Sequence, residues 1–290
     1  MIALQIRCFT VQEALSRRAI LAGVLLSAAF LALFALGFAQ LLGVVGGAPP
    51  SRETGAGRLP ATMIFANLMT VSGMYAVHFL SSFLALLISV GSISGEIESG
   101  ALLSILARPI RRADYLIGRW IGGVTLVCAY TIATGGAVIG ISGAIAAYEA
   151  PAPFVALGYV CLNGALLITV GLLASTRLST IASGVVLFSL FAIAWLGGLI
   201  KYIGGALGDA AVQNTGTFVS LLLPSDALWR AASYFVVTPL FILATTTASQ
   251  RGGIPFVSPA PPSLAVVAWT CIYITILVAI AVVSLRRRDL

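Results

Sequence analysis

The sequence predicts an all-α, polytopic membrane protein with six transmembrane helices, and three observations predict it. Hydrophobic residues make up 60% of the 290-residue chain, charged residues only 9%, and the mean hydropathy is +1.08. A soluble domain carries roughly 25% charged residues, so here the bilayer must serve as solvent for the apolar face. Second, six stretches stay apolar over about 20 residues, the length that crosses a ~30 Å hydrocarbon core at ~1.5 Å per residue. Third, the basic residues segregate to one side of those stretches, as they do around membrane spans.

The elements follow in order. Residues 1–18 place Leu4, Cys8, Val11 and Leu15 on one helical face. This spacing predicts an amphipathic interface helix on the membrane surface, with a plain basic flank as the alternative. The first span covers Ala19 to Leu42. Its apolar run is too long for a signal peptide, and no suitable small-residue cleavage site follows it. A short Gly- and Pro-rich loop, Gly46 to Pro60, leads to the second span, Ala61 to Ile93, which carries the only histidine, His78. The third span runs from Asp114 to Tyr148, uncharged from Ile121 onward, with Asp114 placed to cap it. Phe154 to Ser175 and Leu178 to Ile200 form a tight pair, and Leu264 to Leu285 closes the set.

Residues 201–263 are different, mixing polar and apolar parts. Within them Ala227 to Thr247 resembles a seventh span. Arg230 near its start and Pro239 near its middle argue against that, and a seventh crossing would put Arg286, Arg287 and Arg288 on the opposite side. The segment is therefore predicted to form external or re-entrant helices, which lipid tolerates where protein buries the backbone. Four glycine pairs at i, i+4 spacing (Gly91 and Gly95, Gly118 and Gly122, Gly136 and Gly140, Gly204 and Gly208) predict close helix approach.

An even number of spans puts both termini on one side. Eleven basic residues fall there: Arg7, Arg17, Arg18, Arg108, Arg111, Arg112, Arg119, Arg177, Arg286, Arg287 and Arg288. Five fall opposite: Arg52, Arg58, Lys201, Arg230 and Arg251. The positive-inside rule then predicts cytoplasmic termini. The net charge of +7 is thus a topology signal, and arginines standing beside spans form no nucleic-acid-binding patch.

Several chemistries are weakly supported. Cys8, Cys128, Cys161 and Cys271 make no CxxC pair, so they read as small packing residues and no metal site is expected. No GxxxxGK[ST] phosphate-binding loop exists, and the single lysine, Lys201, is placed outside. Gly140-Ile141-Ser142-Gly143 looks like the nucleophile turn of an intramembrane serine protease. Its base would have to be His78, which lies upstream, whereas the rhomboid family places its histidine downstream.

The segment between spans two and three reads SISGEIESGALLSILARPIRRADYLIGRW, Ser92 to Trp120. Glu96 and Glu98 stand at the membrane edge, the apolar run Ala101 to Ala107 follows, and Arg108, Pro109, Arg111 and Arg112 come next. Pro109 should end a short helix there, and acids before bases suit the helix dipole. A short amphipathic surface helix and a solvated loop both remain open. The run resembles the signature region of type-2 ABC transporter permeases, particularly the branch related to multicopper-enzyme-maturation permeases. The positions that carry it are Gly95-Glu96, Glu98-Ser99-Gly100, Leu102 to Leu106, Pro109 with Arg111 and Arg112, and Gly118-Arg119. Cys8 to Ile20, with Glu13 and the pair Arg17 and Arg18, resembles the family's N-terminal helix. Leu222 to Arg230 resembles its external element through Pro224, Asp226, Trp229 and Arg230.

The resemblance implies a single permease domain over residues 1–290 in a bacterial inner membrane, paired as a homodimer or close heterodimer. It implies a coupling helix within residues 94–113, with Glu96, Glu98, Arg108, Pro109, Arg111 and Arg112 facing a separate ATP-binding subunit. Two copies of that partner would supply ATP and Mg2+, this chain holding no cofactor and no catalytic residues. An exporter is the function implied, with a non-transporting scaffold or maturation factor as the alternative. His78 and Met74 share a face at i, i+4 spacing, and an ionisable group near mid-bilayer makes them candidates for a transport path. Apolar packing and a neutral imidazole bonded to a neighbouring helix are the plainer alternatives.

Overall fold

A computed structural model describes residues 18–47, 60–98, 111–248 and 257–287. Over them the chain forms ten α-helices: α1 (Arg18–Gly47), α2 (Ala61–Ser89), α3 (Ser94–Glu98), α4 (Arg112–Ala146), α5 (Pro153–Arg177), α6 (Thr180–Leu207), α7 (Ala210–Leu222), α8 (Ser225–Val236), α9 (Pro239–Ala248) and α10 (Leu264–Arg286). Six of them, α1, α2, α4, α5, α6 and α10, are long and apolar enough to cross a membrane. Lipid offers no hydrogen bonds, so unbroken helices that satisfy their own backbone are the stable solution for these sequences.

The helix ends follow local chemistry. Gly91 takes φ +70°, a left-handed conformation that breaks α2 from the one-turn α3. The continuous helix of the second span therefore ends at Ser89, and the apolar run continues past Ile93 through this turn into α3. The N-cap of α4 is Arg111, without a side-chain cap bond, and Asp114 lies in the first turn. There its charge favours the helix dipole but it is not the cap expected from sequence. Ser179 caps α6 by accepting from the Ala182 amide at 3.4 Å. Asp209 caps α7 by accepting from the Ala211 and Val212 amides at 2.8 and 3.3 Å.

α5 is the central post. In its most apolar window 72% of residues are buried, against 6% for α1 and 17% for α10, which form the rim. α5 packs on α2, α4, α8 and α10. Around it lie two apolar clusters. One, built on Leu86, Leu116, Leu166, Ile168 and Leu285, fills the half where α5 and α10 end. The other, built on Met74, Val138, Leu157, Trp229 and Val236, fills the opposite half. Polar bonds cross between spans as well: Trp120 Nε1 donates to Thr169 Oγ1 at 2.8 Å, and Asn163 Nδ2 to Ser82 Oγ at 2.9 Å.

Residues 201–263 depart most from expectation. Span five runs past Ile200 to Leu207, so Lys201 sits inside α6. α7 folds back along α6 so closely that a Cβ at Gly204 or Gly216 would strike the facing backbone. Ala227 to Thr247 is not one helix, because α8 ends at Val236 and α9 restarts at Pro239. Among the described residues there are thus six helices able to span, with α7, α8 and α9 as shorter pieces packed against them. Of the predicted glycine pairs, Gly136 and Gly140 face open space, and Gly91 and Gly208 are left-handed turn residues.

Candidate functional site

The end of the bundle where α4 begins and α5 and α10 finish collects Arg111, Arg112, Arg119, Arg177, Arg286 and Arg287. We call it the basic end, and the end holding Tyr148 and α7 to α9 the far end. At the basic end the connection between α2 and α4 is fastened on both sides. Glu96, on α3, forms an ion pair with Arg119 two turns into α4 and accepts a hydrogen bond from the Tyr115 hydroxyl. Arg119 Nε donates to that same hydroxyl at 3.2 Å, closing a three-residue clamp. Arg119 is 8% exposed and Glu96 15%, so neither charge faces open water. Such a pair must stay together, because a desolvated charge without its partner is strongly unfavourable.

Glu98 fastens the second side. Its Oε1 accepts from the Thr180 amide and its Oε2 from Thr180 Oγ1, both at 3.0 Å. Thr180 opens α6, whose first amides have no partner within the helix. A carboxylate there satisfies one of them and meets the positive end of the helix dipole. Ser94 Oγ adds a 3.0 Å bond to the same hydroxyl. Beyond the connection, Arg112 Nη1 caps α10 by donating to the carbonyls of Leu285 at 3.2 Å and Arg286 at 3.4 Å. Arg177 Nε reaches Ser284 Oγ at 2.5 Å. The connection therefore holds α4 and α6, and Arg112 at the start of α4 holds the end of α10.

At the far end the external-element residues are drawn into the bundle. Trp229 is 1% exposed, its ring 5.0 Å from Tyr75 and 5.3 Å from His78 between centroids. Asp226 is buried and accepts from Arg230 Nε at 2.7 Å, while Arg230 Nη2 donates to the Gly198 carbonyl at 2.9 Å. Pro224 stands as the N-cap of α8 without a side-chain bond. Asn67 is the residue that sequence reasoning missed. Its Oδ1 accepts from the Thr238 amide at 3.0 Å and lies 2.9 Å from the Tyr148 hydroxyl, pinning the break between α8 and α9 to α2. A lone Asn in an apolar span was the available signal.

The other predicted residues divide clearly. Met74 and His78 are fully buried among Val77, Val138 and Trp229. Ser142 donates to its own helix at Val138 O, 2.9 Å, and His78 Nδ1 has no hydrogen-bond partner, so the two form no protease dyad. Arg111 is exposed and Arg112 is turned toward α10. Glu13, Arg17, Arg108 and Pro109 lie outside the described residues, as does most of the predicted coupling helix and interface helix; of Arg18 only its place at the start of α1 is described. Arg119, the partner that holds Glu96, was read from sequence as a topology marker and as part of the Gly118-Arg119 signature, not as an ion-pair partner.

Five apolar helices around a buried sixth, with an inter-span connection clamped to two of them, define a multi-pass membrane protein. Residues 73–290 match the family described as ABC-2 family transporter protein, and the chain belongs to that family. It is similar to the probable ABC transporter permease protein NosY of Stutzerimonas stutzeri, 33% identical over 138 residues, 47% of this chain and 45% of that protein. A second relative, the probable ABC transporter permease protein NosY of Pseudomonas aeruginosa, is 33% identical over 105 residues, 36% of each chain. The chain thus matches less than half the length of either relative.

Proposed function

We propose that this chain is the permease subunit of an ATP-driven exporter, powered by a separate ATP-binding subunit that carries the ATP and Mg2+. The double clamp at Glu96 and Glu98 supports the reading. A partner pressing on residues 99–110 would move a segment tied at one side to α4 through Arg119 and Tyr115, and at the other to α6 through Thr180. The clamp turns a local push into relative motion of two spans, which a passive connection could not do. On this reading Glu96 and Glu98 are positioning residues that transmit force. The contact with the partner falls to residues 99–110, with Arg108 and Pro109, and to the exposed Arg111.

The assembly is proposed to hold two permeases, as a homodimer or close heterodimer, and two ATP-binding subunits. It would lie in a bacterial inner membrane with the basic end and both termini in the cytoplasm, the side that the arginine distribution favours. The test is reconstitution of the chain with ATP-binding subunits from the same genome. We expect co-purification and an ATPase rate that depends on the permease. Cysteines placed through residues 99–110 should crosslink to the ATP-binding subunit. If no ATP-binding subunit associates, or if cysteines at residues 99–110 form no crosslink to it, the reading fails. A scaffold of the same fold would bind the ATPase without any substrate altering its rate.

A further inference from the structure

α2 and α8 meet at a cluster that the coupling reading does not use. His78 lies within α2 at 4% exposure, and its Nδ1 is buried without a hydrogen-bond partner. The ring stands between Tyr75 and Trp229, with centroids 6.3 and 5.3 Å away. Both neighbours present aromatic rings to it. An imidazole nitrogen is a strong donor or acceptor in either tautomer, and a protein interior rarely leaves one bare.

The imidazole borders a cavity of about 10 Å³ that Tyr75, Trp195, Ser225, Asp226 and Trp229 help to wall. Its size and charge define the guest. The volume is near the least that holds one water. Asp226 is already neutralised by Arg230 at 2.7 Å, so the cavity offers a cation no uncompensated charge. Ser225 and Asp226, at the start of α8, add polar groups to the wall. Trp195 Nε1 donates to the Tyr75 hydroxyl at 2.7 Å and fixes another part of it.

We propose that this cavity binds a single water that hydrogen-bonds His78 Nδ1 and bridges it to the Ser225 and Asp226 turn of α8. The bridge would add a link between α2 and α8 to the bonds that Asn67 and Arg230 already make between spanning and far-end helices. It is independent of the ATP-binding partner.

The chain has one histidine, which makes the test specific. The full chain is labelled with 15N-histidine, purified through a histidine-free affinity tag and reconstituted in lipid bilayers. Solid-state NMR then reads the Nδ1 shift and the transfer of magnetisation from water protons. We expect a hydrogen-bonded shift, early transfer from water, and loss of both signals in His78→Gln. Ser225→Ala should weaken the transfer while the imidazole signal persists. A shift typical of a bare nitrogen would overturn the proposal. So would a hydrogen-bonded shift without transfer from water, since it would reveal a protein partner.

Discussion

The two ends of this bundle are fastened by different chemistry. At the basic end the joints are carboxylates: Glu96 on Arg119 and Tyr115, Glu98 on the first residue of α6. At the far end the joints on α2 are neutral and buried: Asn67 Oδ1 on the Thr238 amide, Tyr148 between α2 and α8, and Trp229 packed on Tyr75 and His78. The Asp226–Arg230 pair there ties α8 to Gly198 on α6. Glu98, whose bonds are exposed, can exchange partners at little net loss, whereas Glu96 must keep its cation. A buried neutral network has no alternative partner once broken, so it resists rearrangement. One end suits motion and the other suits anchorage. This division is what substitutions can break or sharpen.

The largest effect is expected at the anchor. Trp229→Ala removes the bulkiest fully buried side chain and leaves a cavity between α2 and α8. Such truncations cost about 3–5 kcal/mol. Thermal unfolding in lipid should fall sharply, and ATPase stimulation should fall only in step with folded protein. At the basic end, Arg119→Met strands Glu96 without its cation, a loss of about 3 kcal/mol. Adding Glu96→Gln removes the stranded charge and should recover much of the stability, but not the coupling of ATP hydrolysis to the permease. A double variant that recovers both would show the clamp to be purely structural. Glu98→Ala is the milder case, about 1 kcal/mol for a lost amide acceptor at a helix start. It should leave unfolding nearly unchanged while lowering permease-dependent ATPase. If Glu98→Ala proves as unstable as Trp229→Ala, the contrast between the ends disappears.

The same contrast governs what could be read before the fold was known. Six spans were legible because each is a long uncharged run, a property of composition that needs no neighbours. The break at Val237–Pro239 was half legible: Pro239 argued against a seventh span, yet nothing in sequence showed that α8 would be buried. Span five was drawn too short because Lys201 looked like a terminus, although a long side chain can leave a helix interior for water. The clamp was hardest. Glu96 and Arg119 stand on different helices, α3 and α4, and only the fold brings them together. One physical clue existed: an arginine two turns inside an apolar helix demands an acid, and Glu96, Glu98 and Asp114 all lie on that side. Asn67 and Asn163 carried a similar clue, since buried amides in spans need partners, but their partners lie on other helices.

Tyr148 supplies the smallest test. Its hydroxyl lies 2.9 Å from Asn67 Oδ1 and 2.6 Å from the Val236 carbonyl, with one proton to give. It sits beyond the end of α4, where burial pushes the phenol above its usual range and a backbone hydrogen bond from Thr238 opposes this less strongly. A folded-state value raised above the unfolded one means the contribution is complete below the ordinary phenol value of about 10 and is lost as pH rises past it. Tyr148→Phe keeps the ring and removes the bond, for about 1 kcal/mol. The gap in unfolding temperature between wild type and variant should stay constant from about pH 7 to about pH 10 and shrink above that. A gap already closing near pH 8 would mean that the phenol is not held in the buried network. Hydrogen exchange completes the comparison: Tyr148→Phe should speed exchange at the Thr238 amide and leave Thr180 alone. Glu98→Ala should do the reverse, because each end is held by bonds the other does not share.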